Sequence, residues 1–303
     1  MTVISAIAPQ DGQIAYFQGA SADALQLCLW ADGAVRTLCT AVRCAADKQQ
    51  IVWDTPRHTL YIAMADEQWF HNVQGVNITT GAVSPLTDYY RVQSHPLALN
   101  PSGKVLLLVS DLRGVLNLRL HDFDTGALRK ITDYASPIGP AAYHPRGKHI
   151  AYTANGTFNP YNRDIYLMDA DGFGKRKLLS TLAGSADQVH DWSADGKFLA
   201  VSSNFDGVRQ VGVLNLPDST LRWLSPPSAD YTVLGFSPDG AQLLTSRADE
   251  LVLYGLGDGM PVLRIPGAYT GVAWETTERL LLGTPDGDLY RYQLSGGHRE
   301  NLI

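Results

Sequence analysis

The stretch from His190 to Gly207, HDWSADGKFLAVSSNFDG, decides how the chain folds. Asp191 and Trp192 lead into the polar turn Ser193-Ala194-Asp195-Gly196. Phe198 to Val201 then form a short apolar run that ends in a second polar turn. Asp and Gly suit such a corner because Asp caps its own turn and Gly accepts a positive φ. Read alone, this is a single hairpin.

It does not stand alone. The same turn appears as QDG at 10–12, PSG at 101–103, PRG at 145–147 and PDG at 238–240, each followed by an apolar run. Weaker copies, Pro56-Arg57-His58 and Thr276-Thr277-Glu278, bring the count to seven. A second turn recurs out of phase, at 31–33, 79–81, 124–126, 170–172, 217–219, 257–259 and 295–297. An alternating segment such as Asp164-Ile165-Tyr166-Leu167-Met168 precedes it, and a short one such as Leu221-Arg222-Trp223-Leu224-Ser225 follows. Each unit therefore reads as four short strands, spaced at roughly 40–45 residues, the period of a propeller blade. The second strand of each unit is apolar nearly throughout, which requires cover on both faces, and a radial arrangement of sheets supplies it.

The expected fold is all-β, a single seven-bladed β-propeller of four-stranded antiparallel blades. The blades cover approximately 1–42, 43–88, 89–133, 134–181, 182–226, 227–266 and 267–303. The frame starts on an innermost strand at Val3 to Ala8 and ends on an outermost one at Arg299 to Ile303, so no blade is shared between the termini. Closure then rests on apolar packing between blades one and seven, and that junction is expected to be the weakest.

With 45% apolar residues the 303-residue chain has a real core to bury. A formal charge of −6 with no basic block gives no footprint for nucleic acid. No apolar run approaches the length of a membrane-spanning helix. The N-terminal MTVISAIAPQDGQIAYF has neither a cationic start nor a sustained apolar segment, so a cytoplasmic location is expected. Cys28, Cys39 and Cys44 fit reduced thiols better than a disulfide framework. The sequons at Asn77 and Asn155 then read as chance matches.

The phrase WSADGKFLAVSSNFDG, together with DIYLMDADGFGKRKLL at 164–179, resembles the repeat of TolB-type propellers, and blades four to six carry it best. The count of seven units, the unshared closure and phrases such as SDLRGVLNLRLHDFDTG at 110–126 are more similar to the propeller of prolyl-oligopeptidase-family serine peptidases. In that family the propeller gates a hydrolase domain. No G-x-S-x-G elbow and no α/β segment stand here, so the resemblance implies such a propeller without its peptidase.

Ser237, in Gly235-Phe236-Ser237-Pro238, falls at a turn position of the repeat and not at a nucleophile elbow. The eight His residues show no metal-ligand spacing, yet first strands of different blades converge on one channel, and His95 and His190 both fall on such strands. They are the candidates for a channel metal serving a lyase or hydrolase, set against plain channel-lining histidines. Turn capping accounts for aspartates such as Asp111, Asp171 and Asp195 without calcium, and no cofactor is expected.

The connections between second and third strands open on the face where each first strand begins. There stand Trp69 and His71 in blade two and Tyr89, Tyr90 and Arg91 in the linker to blade three. A long loop at 154–163 in blade four brings Asn159, Tyr161 and Arg163, and blade five brings Asn204, Phe205 and Asp206. With His95 and His190 these are the candidate binding residues, since aromatic area beside directional donors is what a partner-binding surface needs. The leading expectation is a non-catalytic scaffold for a peptide or protein; the alternatives are the metal-dependent enzyme and a stand-alone gating propeller.

Overall fold

The computed structural model describes residues 3–45, 49–156, 159–181 and 184–303, without the side chains of residues 3, 41, 156 and 159–161. Among the described residues there are 28 strands and no helix. They pair into seven four-stranded antiparallel sheets, each built from four consecutive strands, the blades of a seven-bladed β-propeller. No helix is long and apolar enough to cross a membrane.

Local chemistry sets the strand boundaries. The turn glycine between first and second strands is left-handed, as at Gly196 with φ 74°. In the second turn of blade five Ser219 occupies the corresponding left-handed position, at φ 58°, where other blades place glycine. The second strands carry the core: Leu106 to Leu108, Leu199 to Val201 and Leu280 to Leu282 are all buried.

The residues of the deciding stretch stitch neighbouring blades. Trp192 is buried and its Nε1–H donates back to the Ala142 carbonyl of blade four at 3.1 Å. Asp191 Oδ2 accepts the Phe236 N–H of blade six at 2.9 Å. A Cβ at Gly196 would fall 2.2 Å from His144 Nε2 of blade four, so this corner admits glycine alone. Trp53 repeats the indole stitch in blade two, donating to the Ala8 carbonyl of blade one at 2.9 Å.

Outer strands are stitched by arginines at equal spacing along the chain. Arg36 donates to the Ile78 and Thr79 carbonyls in a turn of the next blade. Arg129 does so to the Asp171 carbonyl at 2.6 Å, and Arg222 to the Leu256 and Gly257 carbonyls. A guanidinium offers several donors in a fixed fork, which suits it to paired turn carbonyls.

The chain divides into two compact units. The first holds blades one, two and seven with blade three up to Leu128, apart from the turn at 100–102. The second holds that turn and the chain from Arg129 to Ala268, with blades four, five and six. Blades one and seven thus share a unit. Ile4, Ile7, Ile14, Tyr16, Leu281 and Leu289 form one buried cluster there, and Thr270 Oγ1 donates to the Ile4 carbonyl at 2.6 Å. A Cβ at Gly283 would lie 2.9 Å from Ile4 Cγ2, so the backbones approach closely. The junction expected to be weakest is packed and hydrogen-bonded, not a place where the chain divides.

Cys28 and Cys44 are buried and Cys39 half-buried, and none of the three is bridged to another. Burial pushes the Cys28 and Cys39 thiols up, away from the reactive thiolate form.

Candidate functional site

In the first unit the sequence candidates of blades two and three converge. The second and third strands of blade two, Thr59–Ala65 and His71–Asn77, pair down to Ala65 opposite His71. Between them Asp66 Oδ1 accepts the N–H groups of Gln68 at 2.9 Å and Phe70 at 3.0 Å. This Asx turn holds Trp69 left-handed at φ 65°, and the residue is 38% exposed. A bulky residue in that region is a backbone outlier that the surrounding hydrogen bonds must enforce.

The linker after blade two is fixed from the same strand. Thr87 Oγ1 accepts the Val73 N–H at 2.9 Å. The Asn72 amide clasps the linker from both sides: Nδ2 donates to the Tyr89 carbonyl and Oδ1 accepts the Tyr89 N–H, each at 3.0 Å. Asn72 Oδ1 also accepts the Thr87 hydroxyl at 3.0 Å. Tyr90, next in sequence, is left 79% exposed. The Arg91 guanidinium lies over its ring at 5.2 Å, on a backbone at φ 55°.

Beneath them runs a relay of donors and acceptors. The Ala45 N–H donates to His71 Nε2 at 3.4 Å, which makes Nδ1 the protonated nitrogen, and Nδ1 donates to Gln93 Oε1 at 2.8 Å. Gln93 Nε2 in turn donates to the Trp69 carbonyl at 2.9 Å. Asp111 Oδ1 holds the Gln93 N–H at 2.7 Å. His71 is buried, and His95, on the first strand of blade three, Ser94–Leu99, meets it edge-on with ring centroids 5.5 Å apart. The Trp69 ring lies 6.3 Å from that of His71. Beside this relay opens a groove of about 440 Å³, lined by Met64, Ala65, Asp66, Phe70, Asn72, Gln74, Asp88, Tyr89 and Tyr90.

The second unit treats its candidates differently. The segment read as a loop at 154–163 is mostly strand: His149–Gly156 pairs with Asn159–Asp169 through Asn155 opposite Arg163 and Gly156 opposite Asn159. The alternation of Asn and polar residues there mimics a loop, but the ladder hydrogen bonds satisfy the backbone. Asn159 and Tyr161 lie on this strand, and their side chains are outside the described residues. Arg163 bonds by its backbone to Ser185 and Asp187, each at 3.0 Å. Asn204 Oδ1 caps the Ala186 N–H at 2.7 Å, Phe205 packs on Trp223 at 5.2 Å, and Asp206 accepts the Gln210 amide. These three residues shape turns and cover the blade.

His190, on the first strand of blade five, Gln188–Trp192, bonds the Ser202 hydroxyl through Nε2 at 2.8 Å. Burial, with the nearby Arg209 charge, pushes its pKa down to about 4, so the ring is neutral at physiological pH. Next to it Asp187 is wholly buried and accepts the Thr181 N–H at 2.8 Å, the Thr181 hydroxyl at 2.7 Å and the Ser203 hydroxyl at 2.5 Å. Among the described residues no group of three or more His, Cys, Asp or Glu is placed to hold a metal ion.

Sequence reasoning missed Gln93, Asn72 and Thr87. Their signal lies in the repeat: Leu86-Thr87 corresponds to Leu224-Ser225, where Ser225 Oγ likewise accepts the Val211 N–H at 2.9 Å. An Asp-Tyr pair follows in several linkers, at 88–89, 133–134 and 230–231. Tyr134 there meets the Tyr152 hydroxyl at 3.0 Å and Tyr231 is fully buried. Tyr89 thus stands at a packing position of the repeat, and Tyr90 is the residue without a counterpart.

Neither a family model nor a curated protein matches the sequence. In three dimensions the chain is similar to a puromycin-hydrolyzing peptidase of Mycobacterium tuberculosis, with a TM-score of 0.78 and 15% identity over 100% of this chain and 52% of the peptidase. A puromycin hydrolase matches with a TM-score of 0.70 and 13% identity, over 99% of this chain and 53% of that protein. TolB from Acinetobacter baumannii matches with a TM-score of 0.60 and 15% identity, over 99% and 79%. The chain spans about half the length of the two peptidases. At such identities the likeness is one of fold, and the fold is that of the β-propellers of TolB and of the prolyl-oligopeptidase-type peptidases.

Proposed function

We propose that the chain is a non-catalytic propeller scaffold that binds a peptide or protein on the rim formed by blades two and three. The observation that carries this reading is the exposed pair Trp69 and Tyr90 beside a groove of about 440 Å³, on backbone held rigid by Asn72, Asp66 and Gln93. Rigid aromatic anchors give contact area at small entropic cost, and a preorganised loop avoids the ordering penalty on binding. Peptides selected from a displayed library on the immobilised chain should lose binding to a Trp69→Ala, Tyr90→Ala double variant. Equal binding to that variant would move the site elsewhere.

The similarity to peptidases over about half their length favours one further reading, a propeller that gates a hydrolase. A G-x-S-x-G-bearing α/β segment in the same or an adjacent reading frame would support it, and co-purification with that partner would test it.

A further inference from the structure

The groove beside Tyr90 carries charge as well as aromatic area. Two exposed carboxylates, Asp66 and Asp88, belong to its lining, and no Lys, Arg or His does. Asp66 commits Oδ1 to the N–H groups of Gln68 and Phe70, which fixes the carboxylate on its turn. Among the described residues neither its Oδ2 nor the Asp88 carboxylate has a hydrogen-bond or ion-pair partner, so two acceptors are available to a ligand. Phe70, Tyr89 and Tyr90 supply aromatic surface to the same space.

Arg91, outside the lining, sits over the Tyr90 ring, which shows that this ring accepts a guanidinium. Acidic groups beside aromatic faces favour a cation through direct attraction and through the ring quadrupole together. Of the two amides in the lining, that of Asn72 is already engaged with the linker.

Resting on the reading of this rim as a peptide-binding surface, we infer that the groove receives a basic side chain, lysine or arginine, of the bound peptide. Asp66 and Asp88 hold its charge, and the aromatic residues of the groove stack against its stem.

The test uses the whole chain and acetylated, amidated pentapeptides of alanine with a central arginine, lysine or citrulline. Binding is followed by chemical shift of the Trp69 indole N–H, assigned with a Trp69→Phe variant. The arginine and lysine peptides should bind about tenfold more tightly than the citrulline peptide, the combined worth of an exposed carboxylate pair and a cation–π contact. An Asp66→Asn, Asp88→Asn double variant should erase that difference while its spectrum stays native, and raised salt should shrink it.

Citrulline binding as tight as arginine, still dependent on Tyr90, would overturn the charge assignment and leave the peptide-binding reading standing. An uncapped pentaalanine with a free amino terminus, bound with the same Asp66 and Asp88 dependence and as tightly as the arginine peptide, would reassign the groove to a chain terminus. If no peptide, charged or neutral, shifts the Trp69 resonance up to about 10 mM, where even fragment-weak affinities register, both readings fall.

Discussion

The two compact units build rims from the same repeat positions and use them in opposite ways. In the second unit the linker into blade five is drawn inward: Asp187 gathers Thr181 and Ser203 around a fully buried carboxylate, Asn204 caps Ala186, and Phe205 lies on Trp223. In the first unit the linker into blade three is held just as firmly, by Asn72 and Thr87, yet the firmness serves to present Trp69 and Tyr90 to solvent. One rim satisfies its own polar groups; the other leaves the Asp66 and Asp88 carboxylates and two aromatic rings exposed. Rigidity combined with unsatisfied chemistry is what separates a binding surface from a packed loop.

The comparison breaks most easily at Asp187. Replacing it with Ala leaves the Thr181 N–H and two hydroxyls without their buried acceptor. With each hydrogen bond to a charged group worth about 1.5–3 kcal/mol, the loss of stability should be about 4 kcal/mol. Urea unfolding at unchanged m would show it. A loss below about 1 kcal/mol would mean that the second rim is not the closed network described.

His190 gives the next largest effect. Its folded pKa of about 4 lies below the unfolded value near 6.5, so the unfolded chain binds the extra proton first as pH falls. The stability it contributes is present above pH 6.5 and is lost as pH falls through 4, about 3 kcal/mol in all. His190→Gln should remove that portion of the acid sensitivity, read as the difference between variant and wild type in unfolding free energy at pH 7 and pH 4. Identical pH profiles would show that the ring is not sealed, and would return His190 to the candidates for ligand binding.

Most of the fold was legible because it repeats. Seven copies of a turn constrain one another, so an eroded copy such as Pro56-Arg57-His58 is read from its neighbours, and His58 does take the left-handed conformation, at φ 49°. The rim lacked that support. The strand extension around Asn155 and Arg163 looked like a loop because its polar residues carry no apolar alternation, and only cross-strand pairing reveals it. Grouping His95 with His190 rested on their shared place in the repeat, whereas the structure sets the His95 ring edge-on against His71, from a third strand of the preceding blade. Tyr89 and Tyr90 are adjacent and alike in sequence; the repeat assigns one to packing and leaves the other over, and this becomes visible only when Tyr134 is seen half-buried against Tyr152 and Tyr231 fully buried.

Gln93 probes how far the first rim depends on its relay. Gln93→Ala removes the acceptor for His71 Nδ1 and the donor to the Trp69 carbonyl. Since the bonds are only partly buried, the cost should be about 1–2 kcal/mol. The sharper readout is Trp69, whose indole N–H resonance should broaden as its left-handed backbone loses an anchor. An unchanged, narrow resonance would assign that conformation to the Asp66 turn alone.

The smallest expected effect on stability is the one that tests function most directly. Among the described residues Tyr90 is the most exposed of the large apolar ones, and its ring meets the guanidinium of Arg91, itself exposed. Tyr90→Ala should therefore change the unfolding free energy by less than about 0.5 kcal/mol. A structural residue would be judged by that number and dismissed. If Tyr90 is an anchor, the same substitution should weaken a selected peptide by about thirtyfold, the scale of a central aromatic contact. Asp187→Ala should show the reverse pattern, a large fall in stability with affinity intact under conditions where the chain remains folded. That crossed result cannot arise from two equivalent loops of a repeat, because equivalence would make stability and affinity fall together in both.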